Sequence, residues 1–160
     1  AMVLDCGCGG GANIKTMLKL CPKGKVQGID YSAVSVEKAR KVNANAIATG
    51  RCNVQQASVA ELPFEAERFD VVTAFETVYF WPELAQNFRE VYRVLKPGGI
   101  FFICNEANGE TTKDDKWTQI INGMTIYTDA ALKAHLEQAG FGRVQRHKNK
   151  KGWLCVTAQK

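Results

Sequence analysis

Apolar positions along this chain alternate between two patterns. Short, largely apolar runs at residues 3–6, 25–30, 53–57, 69–75 and 100–104 predict strands, the run at 69–75 being the most continuous. Between them the spacing becomes helical. A glycine turn leads into a helix over about 13–20, and Pro22 and Gly24 then break the chain. Ser32 can cap a second helix, in which Val34, Lys38, Val42 and Ala46 keep helical spacing to about residue 49, where Gly50 closes it. Pro82 opens a third, carrying Leu84, Phe88, Val91, Val94 and Leu95 on one side and ended by Lys96-Pro97-Gly98-Gly99. A helix over 129–139 stops at Gly140, and runs at 142–147 and 153–158, joined by a turn at 149–152, read as an antiparallel hairpin. Strands that are apolar throughout and alternate with helices predict an α/β fold. It is a doubly wound, mostly parallel seven-stranded sheet with helices on both faces and the hairpin at its end.

The length of 160 residues suits a single domain, and 46% hydrophobic with 23% charged residues is ordinary for a globular one. No apolar run approaches the ~20 residues of a membrane-spanning helix, and no basic-then-apolar leader opens the chain. Cys6, Cys8, Cys21, Cys52, Cys104 and Cys155 form no CxxC pair and have no nearby histidine. They read as small buried hydrophobes in a reduced, cytoplasmic protein with no metal site. The net charge of +5 is modest. Its densest cluster (Arg143, Arg146, His147, Lys148, Lys150 and Lys151) reads as a solvated hairpin tip, since no aromatic residues interleave with it as nucleic-acid binding would favour.

Candidate chemistry sits after the first strand. Gly7, Gly9 and Gly11 allow positive φ and close approach of a ligand to the backbone, at the sheet end where doubly wound folds bind ligands. N–H groups at the start of the following helix can face that ligand. Asp30 ends the second strand, where a carboxylate can accept both hydroxyls of a ribose. The pair indicates a nucleoside ligand. Gly7-x-Gly9-x-x-Ala12 followed by an acid also fits a dinucleotide fingerprint, so a nicotinamide cofactor stays open on these residues alone. Against it stand Asp5, where a dinucleotide fold wants an apolar side chain, and a chain too short for a second catalytic domain. A carboxylate at position 5 suits a ligand with a cationic amino-acid end.

Asp5-x-Gly7-x-Gly9-x-Gly11, Gly28-Ile29-Asp30-Tyr31-Ser32, the segment from Ala57 to Phe64, Phe69-Asp70-Val71-Val72 and the segment from Arg89 to Gly99 together cover most of the chain. In this combination the sequence resembles the class I S-adenosylmethionine-dependent methyltransferases of the broad small-molecule type. The resemblance implies S-adenosylmethionine as cofactor and a small-molecule methyl acceptor. It places the methionine end on the backbone of Gly7, Cys8 and Gly9 with Asp5 nearby, and the ribose on Asp30. Tyr31 would lie against the adenine, Ser58 and the backbone of Val59 would meet its edge, and Phe75 would offer its backbone to the amino group. Ser58 departs from the family pattern, in which Asp is common there; a serine gives up the charge-assisted bond.

Methyl transfer from a sulfonium needs alignment and exclusion of water more than a strong catalytic group. Glu76 and Tyr79 are the acceptor-side candidates, to orient or deprotonate the acceptor, and the aromatics of Tyr79-Phe80-Trp81 either border the sulfonium or pack the helix start. Trp117 and Met124, in the loose stretch 105–124, are candidates for the acceptor wall. Among other chemistries, no Ser-His-Asp set and no Walker loop are present. The chain opens directly on a strand pattern, so the helical segment that the family usually places upstream is expected to be missing. The alternative reading is therefore a truncated or accessory cofactor-binding domain without turnover.

Overall fold

The computed structural model describes residues 1–106, 124–148 and 151–160, except for the side chain of Lys148. Seven strands form one sheet: β1 (Met2–Cys6), β2 (Lys25–Asp30), β3 (Cys52–Gln56), β4 (Phe69–Phe75), β5 (Leu95–Asn105), β6 (Gly142–Lys148) and β7 (Leu154–Gln159). Their spatial order is β3-β2-β1-β4-β5-β7-β6. The first five pair in parallel, and β7 runs against both β5 and β6. The order reverses between β1 and β4, which makes the carboxyl ends of these two strands the switch point of the sheet.

The helices α1 (Ala12–Leu20), α2 (Ala33–Val42), α3 (Ala44–Ala48), α4 (Leu84–Val94) and α5 (Asp129–Gln138) pack on the sheet. Adjacent residues of β1 serve opposite faces. Val3 joins a core with Ile14, Val26, Val36 and Ala39, while Leu4 joins another with Val72, Phe88, Phe101 and Leu132. On α4, Leu84, Phe88, Val91 and Val94 are buried at spacings of three and four. Each such side chain contributes about 1.5–3 kcal/mol of transfer free energy. Trp81 stacks on Phe101 at 6.2 Å between centroids and meets Phe88 edge-on at 5.9 Å, so the chain entering α4 is anchored in this core.

Two local expectations are corrected. The helix foreseen over 32–49 is two helices, because Asn43 leaves helical geometry with φ −110° and ψ 23°. Its buried side-chain amide donates to the carbonyls of Ala39 and Gly11, each at 3.0 Å. An asparagine whose amide competes for backbone carbonyls ends a helix turn readily. Gly11 (φ +87°) makes room for this contact, since a Cβ on it would lie 2.7 Å from Asn43 Nδ2. The second correction is at β5, which begins at Leu95 rather than residue 100. Leu95 pairs with Phe69 and Ile100 with Val71, so the Lys96–Gly99 stretch bulges out between two paired positions instead of ending the element. Lys160 holds the bulge: Gly98 N–H donates to Lys160 O and Lys160 N–H to Gly99 O.

Candidate active site

A cavity of about 620 Å³ opens at the carboxyl ends of β1, β2 and β4, a volume typical of small-molecule sites. Seven of the residues singled out from the sequence for the cofactor line it: Gly7, Gly9, Asp30, Tyr31, Ser58, Val59 and Phe75; Glu76 lines it as well. Asp5, Cys8 and Tyr79 lie behind the wall, all buried. Met124 is not on the wall, and Trp117 lies outside the described residues.

The glycine loop is built by its own hydrogen bonds. Gly7 and Cys8 N–H both donate to Ile29 O, at 2.8 and 2.9 Å, and Gly11 N–H donates to Cys8 O. Gly9 N–H donates to Asp30 Oδ2 at 2.9 Å. The N–H groups of residues 7–9 are therefore spent inside the protein, and what this stretch offers a ligand is carbonyls and space. Gly9, at φ +53°, has no atom of the described residues within 4 Å of where its Cβ would stand, so its bare backbone faces open cavity among them. Gly7, at φ +78°, is glycine for a second reason: the side chain of Thr77 fills the place of its Cβ.

Asp30 is fixed at both oxygens. Besides the bond from Gly9, its Oδ1 accepts Ser32 N–H at 2.8 Å at the start of α2, where Ser32 Oγ in turn accepts Ser35 N–H. Each carboxylate oxygen retains a further acceptor site, so the carboxylate is oriented without being used up. Tyr31 beside it is 83% exposed on the cavity rim, with its carbonyl held by Gln56 Nε2 at 3.0 Å. Ser58 Oγ accepts Ala60 N–H at 3.1 Å, which leaves its proton to donate.

Asp5 stands between Gly28 of β2 and Thr73 of β4. Its Oδ1 accepts the Thr73 hydroxyl at 2.8 Å, whereas Oδ2 is buried with no partner among the described residues. Burial pushes its pKa from 3.8 up to about 7; the Thr73 bond opposes the rise and the charge of Asp30 adds to it. Burial likewise pushes the Cys8 thiol up to about 12, which fits an inert side chain packed under the loop.

Glu76 follows β4 with φ +56°, a left-handed conformation that costs a non-glycine residue of order 1 kcal/mol. Its N–H donates to Cys104 O at 2.9 Å, and its Oε1 accepts Glu106 N–H and, at 3.5 Å, the Tyr79 hydroxyl. Partial burial raises its pKa; the Glu106 amide works against this and the Glu106 charge with it. Tyr79 thus reaches the site through Glu76. Thr77, Ile29 and Ala57, for which the sequence pattern indicates no individual role, also line the cavity, as does Pro82 from the approach to α4. Phe80, 47% exposed, borders the mouth, while Trp81 lines the cavity and also packs against Phe88 at the start of α4.

All six cysteines are free, five of them buried, and Cys104 Sγ lies 2.8 Å from Cys155 Sγ across the β5–β7 pair. Among the described residues no group of three or more His, Cys, Asp or Glu side chains is placed to hold a metal ion. No helix among them is long and apolar enough to cross a membrane.

A family model described as a methyltransferase domain matches residues 4–103, from β1 to the end of β5. The chain belongs to this methyltransferase family. S-adenosylmethionine is the cofactor that goes with it, and the site fits that group: an open cradle over Gly9, an oriented carboxylate at Asp30 and a buried carboxyl beneath the loop. The chain is 30% identical over 150 residues to 24-methylenesterol C-methyltransferase 3 of Arabidopsis thaliana, covering 87% of this chain and 41% of that protein. It is 35% identical over 107 residues to the demethylmenaquinone methyltransferase of Symbiobacterium thermophilum, covering 66% of this chain and 42% of the relative. It therefore spans less than half the length of these curated relatives. Among solved structures, a complex of the Haloferax volcanii Trm112 methyltransferase activator with a methyltransferase superimposes with a TM-score of 0.89 at 21% identity, over 99% of this chain and 81% of the matched one. That likeness concerns the fold, and it agrees with the seven-stranded sheet foreseen from the sequence.

Proposed function

We propose that this domain binds S-adenosylmethionine in the cavity at the switch point and transfers its methyl group to a small, apolar acceptor. The observation that carries the reading is Asp30, a carboxylate braced at both oxygens on the rim of a cavity of the right size. When bound, S-adenosylmethionine supplies a methyl group on a sulfonium, activated for displacement with a neutral thioether as leaving group.

The protein's part is to bind, orient and exclude water. Asp30 accepts the ribose hydroxyls, Tyr31 covers the adenine, and Ser58 with the Val59 backbone meets its edge. Carbonyls of the Gly7–Gly9 loop and of Phe75 take the ammonium group, with Asp5 beneath them as a countercharge. On the acceptor side, Glu76 is the one carboxylate besides Asp30 among the described residues of the wall. Its raised pKa suits it to take a proton from an acceptor hydroxyl, amine or carbon acid.

Support for an apolar acceptor comes from Phe75, Phe80, Trp81 and Pro82 on that wall, and from relatives named for sterols and demethylmenaquinone. No Lys or Arg among the described residues lines the cavity to receive an anionic acceptor. Thermal shift with S-adenosylmethionine, S-adenosylhomocysteine and NADH tests the cofactor. Stabilisation by the first two and not the third is expected, and no response to either sulfur compound refutes the reading. Methyl-labelled cofactor incubated with a sterol and a demethylmenaquinone tests the acceptor class, with label passing into the organic phase as the expected result.

A further inference from the structure

One polar side chain on the cavity wall has no part in holding Asp30 or in building the glycine loop's hydrogen bonds. Thr77 sits on the loop after β4 and lines the cavity between Gly7 and Glu76. It packs against Gly7 so closely that a Cβ built there would lie 2.7 Å from Thr77 Cβ and closer still to its hydroxyl oxygen. Its position is secured from the other side. The Trp81 indole N–H donates to Thr77 Oγ1 at 3.4 Å, and Thr77 O accepts Phe80 N–H at 3.0 Å. Trp81 is itself wedged against Phe88 and Phe101 in the core.

A hydroxyl accepts and donates at once. The oxygen of Thr77 takes the indole proton, while its own proton has no acceptor among the described residues. A polar hydrogen held at the cavity wall is thus left for a ligand. Asp30, Tyr31 and Ser58 occupy the adenosine end of the proposed cofactor, so Thr77 and Gly7 face its amino-acid end. The groups at that end are an ammonium and a sulfonium, which cannot accept a proton, and a carboxylate, which can. The described lining residues contain two carboxylates and no Lys or Arg, so the donors they offer a ligand carboxylate are neutral.

We infer that the Thr77 hydroxyl is a cofactor-binding group: it donates a hydrogen bond to the carboxylate of the amino-acid end of S-adenosylmethionine and, packed on Gly7, positions that end. The inference rests on the cofactor reading above.

The test is calorimetry with two probes, S-adenosylhomocysteine and 5′-methylthioadenosine, the second of which keeps the adenosine and lacks the amino-acid end. Thr77→Val, which keeps the side chain's shape, is expected to weaken S-adenosylhomocysteine about tenfold or more and to leave methylthioadenosine within about twofold. Thr77→Ser, which keeps the hydroxyl, is expected to recover most of the lost affinity. Unchanged S-adenosylhomocysteine binding by Thr77→Val overturns the inference, and so does an equal loss of both probes or a failure of Thr77→Ser to recover. Should Thr77→Val not fold, the wild-type domain still decides. Decarboxylated S-adenosylhomocysteine is expected to bind about tenfold more weakly than the parent, and equal binding overturns the inference. A wild-type domain that binds neither of the two original probes overturns the cofactor reading and this inference with it.

Discussion

Replacing Asp5 with asparagine should make the protein more stable above neutral pH. Asp5 is 1% exposed, one of its oxygens has no partner among the described residues, and burial raises its pKa to about 7 from 3.8. Between these two values the folded state holds a proton that the unfolded state has released. The unfolded chain binds fewer protons there, so stability falls as pH rises, by about 1.4 kcal/mol per pH unit for a single group. The fall starts near pH 4 and levels off above pH 7, which makes the full cost of ionising Asp5 about 4 kcal/mol, an order-of-magnitude figure. Asparagine keeps an acceptor for the Thr73 hydroxyl and carries no charge to desolvate. Urea melts followed by circular dichroism from pH 5 to 8.5 are the assay. Asp5→Asn should gain about 3 kcal/mol on wild type between pH 5 and pH 8, roughly 8 °C in Tm for a domain of this size. A variant no more stable than wild type at pH 8, or one whose stability keeps the wild-type slope, would refute the assignment of this titration to Asp5.

Two further outcomes follow from the glycine loop and the adenine edge. Gly7→Ala and Gly9→Ala should part company. The first combines positive φ with a collision against Thr77 and should cost about 3 kcal/mol of stability in denaturant melts. The second meets no neighbour, so its strain should cost only about 1 kcal/mol while its methyl group intrudes on the cavity and weakens S-adenosylhomocysteine by calorimetry. Equal stability losses for the two would contradict the packing described for Thr77. Ser58→Asp should tighten S-adenosylhomocysteine binding by about 1 kcal/mol, the gain from a charge-assisted bond over a neutral one; weaker binding by this variant would place the adenine elsewhere.

Most of the architecture was legible because it rests on local signals. Strands buried on both faces read as continuous apolar runs, α4 shows its buried stripe at spacings of three and four, and Gly7, Gly9 and Asp30 sit at strand ends that the alternation of elements already places together. What escaped the sequence depends on contacts between distant segments. Thr73 meets Asp5 across 68 positions, and Asn43 reaches Gly11 across 32, so neither the buried network nor the break between α2 and α3 leaves a trace in local periodicity. Thr77 is visible only as the reason that Gly7 can carry no side chain. The roles of Tyr79 and Trp81 turned on side-chain direction: in the short helical turn Val78–Phe80 the Tyr79 ring is buried behind Glu76 and Phe80 is turned outward. An early start to β5 was hidden because Pro97 and Gly98 read as a stop, whereas in the sheet they form a bulge held by Lys160.

The seven-stranded sheet and the family membership leave the ribose on Asp30 as the claim on which the cofactor reading turns. Its most direct test is the affinity of wild type and Asp30→Ala for S-adenosylhomocysteine, measured by calorimetry on protein shown to be folded. Wild type should bind at one site, and the variant should lose about 1–3 kcal/mol, the scale for removing hydrogen bonds to a charged group. Equal affinities would mean that the ribose lies somewhere other than on this carboxylate.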